Sequence, residues 1–156
     1  MQARQINQTG TQRMFAIILD NGDEVMATLR RFVEQQRLEA AQFTAIGAFR
    51  SALLGYFDWR TKKYKHIPIN EQVEVASFIG DLAQGEDGRP SLHIHCVLGR
   101  HDGGAVAGHL LEGQVRPTLE VILTDSPTHL RKRHDPESGL ALIDPSAASN
   151  SRAGHS

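Results

Sequence analysis

The chain has 156 residues, of which 40% are hydrophobic and 22% charged, the proportions of one ordinary folded domain with a core of its own. Seventeen Lys and Arg against 18 Asp and Glu leave a formal net charge of -1, which excludes a global basic field of the kind that holds a phosphate backbone. A single cysteine, Cys96, excludes an intrachain disulfide, and no run approaches the ~18 apolar residues of a membrane span.

Met1 to Thr11 is polar, with no apolar leader core, so residues 1–12 are expected to be a flexible N-terminus and the protein cytoplasmic. Met14 to Leu19 is a short apolar run closed by Asp20, Asn21 and Gly22, a buried strand followed by a turn. Val25, Met26, Leu29, Phe32 and Val33 then recur at helical spacing. Asp23 and Glu24 sit near the positive end of that helix dipole and Arg37 near its negative end. This stripe is packing rather than a cofactor box.

Gln42 to Gly47 reads as a strand entering a glycine-marked turn, and Ala52 to Phe57 as another. Lys62, Lys63, Tyr64, Lys65 and His66 form the most basic stretch of the first half. A solvated edge strand explains them better than a nucleic-acid contact, because lysines blunt exposed sheet edges. Val73 to Ile79 is a strand closed by Gly80, and a loop runs from Ala83 to Pro90. Leu92 to Leu98, Val106 to Leu111 and Leu119 to Leu123 supply three more strands. Ser126 and Pro127 read as an N-cap and first helical position, opening a short basic helix through Arg133. Leu140 to Ile143 is apolar again, and residues 145–156 have the composition of a disordered tail.

The concentrated chemistry is in LHIHCVL. Residues two apart on a strand share a face, so His93 and His95 present two imidazoles together while Ile94 and Cys96 point the other way. A hairpin through the turn near Gly103 would return His109 beside them, and Gly108 permits close backbone approach. The pattern H-x-H-x13-H can hold a divalent ion with one position open; zinc suits it first, and iron or nickel would also accept it. The competing explanation is a set of hydrogen-bonded strand histidines in a chain with 8 of them, but an unpaired polar group in so apolar a frame is costly. His66, His101, His129, His134 and His155 lack that frame, and Cys96 reads as a small buried hydrophobe. No nucleophile elbow, phosphate-cradling loop or dinucleotide turn occurs. GEDGRP fails as a minor-groove arginine hook because Asp87 stands where the first arginine belongs.

The ordered segments FAIILDNGDEV, FTAIGAF, QVEVASFIGDL, LHIHCVLGRHDG and VAGHLLEGQVRPTLEVIL resemble the PPC domain, found in plants and prokaryotes, from about Arg13 to Ile143. The resemblance implies an α+β fold over residues 13–144, with a largely antiparallel sheet flanked by helices, and a homotrimer. In plants the domain accompanies DNA-binding hooks and mediates assembly, and the resemblance to bacterial relatives described as DNA-binding by analogy with these implies a role on DNA. The His set also resembles that of α-acetolactate decarboxylase, whose zinc is held by three histidines in a similar order. That likeness implies an alternative, a metal-dependent enzyme on a small oxo or carboxylate substrate, with Glu112, Arg116 and Glu120 as candidate groups near the metal. Each of the three also reads as a surface or interface ion pair. Under the leading reading, DNA would be met by local patches, Lys62, Lys63 and Lys65 or Arg131, Lys132 and Arg133.

Overall fold

A computed structural model describes residues 1–126 and 130–146. The strands are β1 (Gln2–Thr9), β2 (Gln12–Asp20), β3 (Ala41–Asp58), β4 (Lys63–Ile69), β5 (Val73–Gln84), β6 (Pro90–Gly99), β7 (Ala105–Asp125), β8 (Lys132–His134) and β9 (Ala141–Ile143); α1 spans Val25–Gln35. The first seven form one antiparallel sheet in the order β1-β2-β7-β6-β5-β3-β4, and β3 also pairs with β7. That extra pairing closes β3, β5, β6 and β7 into a ring, with β1 and β2 attached through β7.

Period-two burial builds the core. Phe15, Ile17 and Leu19 of β2, Ile94, Cys96 and Leu98 of β6, and Leu119, Val121 and Leu123 of β7 all point inward. The apolar stripe of α1 buries Val25, Leu29, Phe32 and Val33, and Phe32 meets Phe15 edge to face at 5.4 Å. Glu24 caps this helix. Its carboxylate accepts from Met26 and Ala27 backbone N–H at 3.2 and 2.7 Å and from Gly113 N–H of β7 at 3.2 Å, pinning the helix start to the sheet. Among the described residues no helix is long and apolar enough to cross a membrane.

Several expectations are corrected. Residues 1–12 are not loose, because Gln2–Thr9 pairs along β2 and Met1 packs against the core cluster. The segments Gln42 to Gly47 and Ala52 to Phe57 belong to one strand. Gly47 lies in an irregularity of register rather than at a turn, with φ +153° and no room for a side chain, since a Cβ there would lie 2.3 Å from the Thr118 carbonyl oxygen. Likewise β5 continues through Gly80, where the Phe43 ring occupies the space a side chain would need, and β7 is a single strand through Pro117. Of the basic helix expected from Ser126 to Arg133, the described residues Ser126 and 130–133 are not helical. Residues 127–129 lie outside the described residues, and Lys132–His134 pairs with Ala141–Ile143 as a small hairpin instead. A sheet flanked by helices is therefore replaced by a mostly antiparallel β fold with one helix among the described residues. The expected tail falls largely on residues 147–156, outside those described.

Candidate metal centre

The apolar alternation of β6 fixes which side chains face outward. With Ile94, Cys96 and Leu98 held in the core, His93 and His95 must share the opposite face. His109 of β7 lies directly across from His95 in the strand register, so its ring joins the pair. Gly108 makes that possible, because a Cβ at this position would sit 3.0 Å from the Gly55 carbonyl oxygen of β3. The three ring centroids are 4.9 Å apart for His93 and His95, 5.2 Å for His93 and His109, and 5.5 Å for His95 and His109. One ligating nitrogen from each lies within 4.8 Å of the others, and the Nε2 atoms of His93 and His95 are 3.2 Å apart.

The surroundings fit a cation held by neutral imidazoles. Burial, then the neighbouring rings of His93 and His95, then the Lys132 ammonium push His109 down to about 4. Burial, then His93, also lowers His95, with Asp81 opposing weakly. Both rings therefore keep their lone pairs available near neutral pH, as metal ligation requires. His109 Nδ1 is buried without a hydrogen-bond partner, an unsatisfied nitrogen of the kind a metal satisfies. Behind His93, Asp81 of β5 places Oδ2 3.5 Å from Nδ1, the position of a carboxylate that orients a metal-bound imidazole. Burial raises the Asp81 carboxyl, but the His93 contact and the Lys132 charge outweigh it and hold its pKa below the ordinary value. Tyr64 of β4 stacks on His109 at 5.0 Å between centroids.

Beside the triad lies a cavity of about 300 Å³, lined by His93, His109, Asp81, Tyr64 and Ser91 on one side and by the β8–β9 hairpin on the other. No sequence motif singles out Asp81, Tyr64 or Ser91 as a site residue. Register alone could have found Asp81, since it faces His93 across the β5–β6 pair. Lys132 belongs by sequence to the expected DNA patch with Arg131 and Arg133; its side chain is only 6% exposed and is part of the cavity wall. Arg133 pairs with Asp144 at 3.2 Å, so the Arg131, Lys132 and Arg133 patch is not a free cationic surface. Glu112, Arg116 and Glu120 are exposed on β7 and line no part of this cavity. Lys63 and Lys65 are exposed on edge strand β4, while the Lys62 ammonium lies 3.2 Å from the Trp59 ring centroid. Burial raises the Cys96 thiol to about 12, which makes it inert.

The depressed His109 sets a pH dependence for the metal-free chain. The folded state keeps this ring neutral down to about 4, whereas the unfolded chain takes up a proton near the ordinary 6.5. Stability from this group is complete above 6.5 and is lost as pH falls from there towards 4, on the order of 1–2 kcal/mol after solvent screening. Urea unfolding in the presence of chelator should show this slope, and His109→Gln should flatten it. An equal slope in both chains would contradict the assignment.

The model of the Plants and Prokaryotes Conserved (PCC) domain family matches residues 6–127. The chain is 31% identical over 134 residues to the bifunctional protein GlmU of Synechococcus sp. (strain JA-3-3Ab). The match covers 84% of this chain but only 20%, about a fifth, of that relative's length. Among solved structures, a metal-containing protein from Archaeoglobus fulgidus is 33% identical with a TM-score of 0.78, covering 83% of this chain and 91% of the other. A candidate DNA-binding protein from Ralstonia eutropha JMP134 is 27% identical with a TM-score of 0.77, covering 83% and 90%.

Proposed function

This chain belongs to the Plants and Prokaryotes Conserved domain family, and from that premise we propose that it is a cytoplasmic, metal-binding homotrimeric module that acts in binding or regulation. The carrying observation is the convergence of His93, His95 and His109, with one ligating nitrogen of each within 4.8 Å of the others. Zinc is the first choice of ion, since three imidazoles with an open position suit it. The similarity to a metal-containing protein supports the same reading.

Assembly as a trimer is supported by the outer face of the closed ring. Ile46, Ile79 and Ile122 are 63%, 58% and 43% exposed, and Ile79 and Ile122 both pair with Thr44 across adjacent strands, forming one apolar patch beside His95. A patch of this kind favours a protein partner over water. Light scattering should give three times the 17.2 kDa chain mass, and Ile46→Glu with Ile122→Glu should shift it to monomer. A monomeric parent chain at micromolar concentration would contradict the trimer.

A role on DNA is supported by the similarity to the Ralstonia protein, but the charge of this chain limits it. With a net charge of -1 and Lys132 buried, the cations left to meet a duplex include Lys62, Lys63 and Lys65. The isolated chain should bind arbitrary duplex DNA weakly at physiological ionic strength, and neutralising those three lysines should reduce the salt slope by about 3. Tight, salt-resistant binding would overturn this expectation.

The cavity beside the triad favours a second reading, a metal-dependent enzyme on a small oxo or carboxylate substrate. An ion bound there would polarise a substrate oxygen as a Lewis acid. His93, His95 and His109 would hold it, Asp81 would orient His93, and the β8–β9 hairpin would shield the ligand from water.

A further inference from the structure

Lys132 is the most heavily buried cationic side chain at the cavity, and its surroundings leave it incompletely paired. Its Nζ donates to Ser91 Oγ at 3.4 Å and lies 3.5 Å from Asp81 Oδ1. Both contacts are long, and an ammonium has three donors to place. Asp81 Oδ1, which has no other partner, and Ser91 Oγ take two of these donors, and the second Asp81 oxygen lies towards His93. A charge this far from water is stable only when hydrogen-bonded and neutralised at close range. The cluster therefore has room for one more acceptor.

The β8–β9 hairpin that carries Lys132 also brings an apolar wall to the cavity. Leu140, Leu142 and Ile143 line it, and Leu142 and Ile143 remain 46% and 36% exposed, so the hairpin presents partly uncovered apolar surface to the same space. An ammonium and a group of apolar side chains around one volume of about 300 Å³ define a small amphiphilic ligand. The charge tally decides its sign. Asp81 balances Lys132, and the three imidazoles contribute no negative charge, so a divalent ion in the triad would leave the cavity with a net positive charge of two. Lys132 and the apolar wall all lie beyond residue 127, where the family match ends, so this half of the cavity is built by chain outside the matched domain.

We propose that the cavity between the triad and the β8–β9 hairpin binds a small organic carboxylate, with Lys132 recognising its charged end and Leu140, Leu142 and Ile143 packing against its apolar body. The inference deepens the metal reading, which strengthens the binding, but Lys132 supplies recognition of its own. The test titrates the full chain with butyrate and with butyramide, its neutral isostere, in chelator-treated and zinc-loaded protein whose metal content is measured in the same samples. Butyrate should bind at least about tenfold more tightly than butyramide, and more tightly still with zinc. Lys132→Met should abolish the preference, whereas Asp81→Asn, which removes the competing carboxylate, should strengthen butyrate binding in the chelator-treated chain. Loss of folding cannot produce changes of opposite sign. Equal affinity for the two probes, an undiminished preference in Lys132→Met, or no butyrate binding to a chain that carries zinc overturns this inference alone. Butyrate binding that needs Lys132 in a chain unable to hold zinc sustains it and overturns the metal reading.

Discussion

A His93→Ala, His95→Ala double variant loses divalent-metal affinity by a factor on the order of a thousand or more. Four-ligand structural zinc sites bind with about 10–16 kcal/mol, and removing two of three imidazoles subtracts several kcal/mol from whatever this site supplies. The variant should fold, because both rings lie on the outer face of β6 while Ile94, Cys96 and Leu98 hold the strand in the core. Excess zinc should raise the melting temperature of the parent chain by roughly 10 °C, the linkage expected for ligand near a thousand times its dissociation constant, and leave the variant unmoved. Competition with a chromophoric chelator gives the affinities directly. Equal zinc affinity in parent and variant would sink the ligand assignment.

Gly47→Ala is expected to be strongly destabilising, at about 3 kcal/mol or more. A Cβ at Gly47 would stand 2.3 Å from the Thr118 carbonyl oxygen and 2.8 Å from the Leu119 Cα, and both are backbone atoms that no rotamer change can move aside. At φ +153° the residue is also in a conformation that side-chain-bearing residues rarely adopt. The strands involved are β3 and β7, whose pairing closes the ring; β7 in turn carries His109, which its pairing with β6 sets opposite His95. The melting temperature should fall by roughly 6–12 °C. Gly10→Ala is the control. Gly10 also has a positive φ, +59°, but no atom lies within 4 Å of its added methyl, so it should cost only about 1 kcal/mol. Equal losses at the two sites, measured by urea unfolding, would show that the close approach at Gly47 carries no weight.

The histidine triad was legible in the sequence because a strand has a fixed period. LHIHCVL places two rings on one face whatever the topology, and one hairpin then determines where His109 returns. The α1 stripe was legible for the same reason. Strand continuity was not. Gly47, Gly80 and Pro117 look like breaks, yet Gly47 serves a close backbone approach and Gly80 makes room for the Phe43 ring, and both are long-range contacts that no local pattern announces. The polar N-terminus misled because an edge strand with both faces in water has no hydrophobic alternation; all eight residues of β1 are exposed, and backbone pairing with β2 alone defines it. Lys132 was hidden in a basic run. Its burial depends on Asp81, fifty-one positions earlier, and the functional reading of that run changes with it.

The most direct measurement of the central claim is elemental analysis of the chain purified without chelator. The triad predicts about one divalent ion per chain, zinc first, and its loss from the His93→Ala, His95→Ala variant prepared in parallel. Bound metal in equal amount in both chains, or none in a correctly folded parent chain supplied with zinc, would contradict the account.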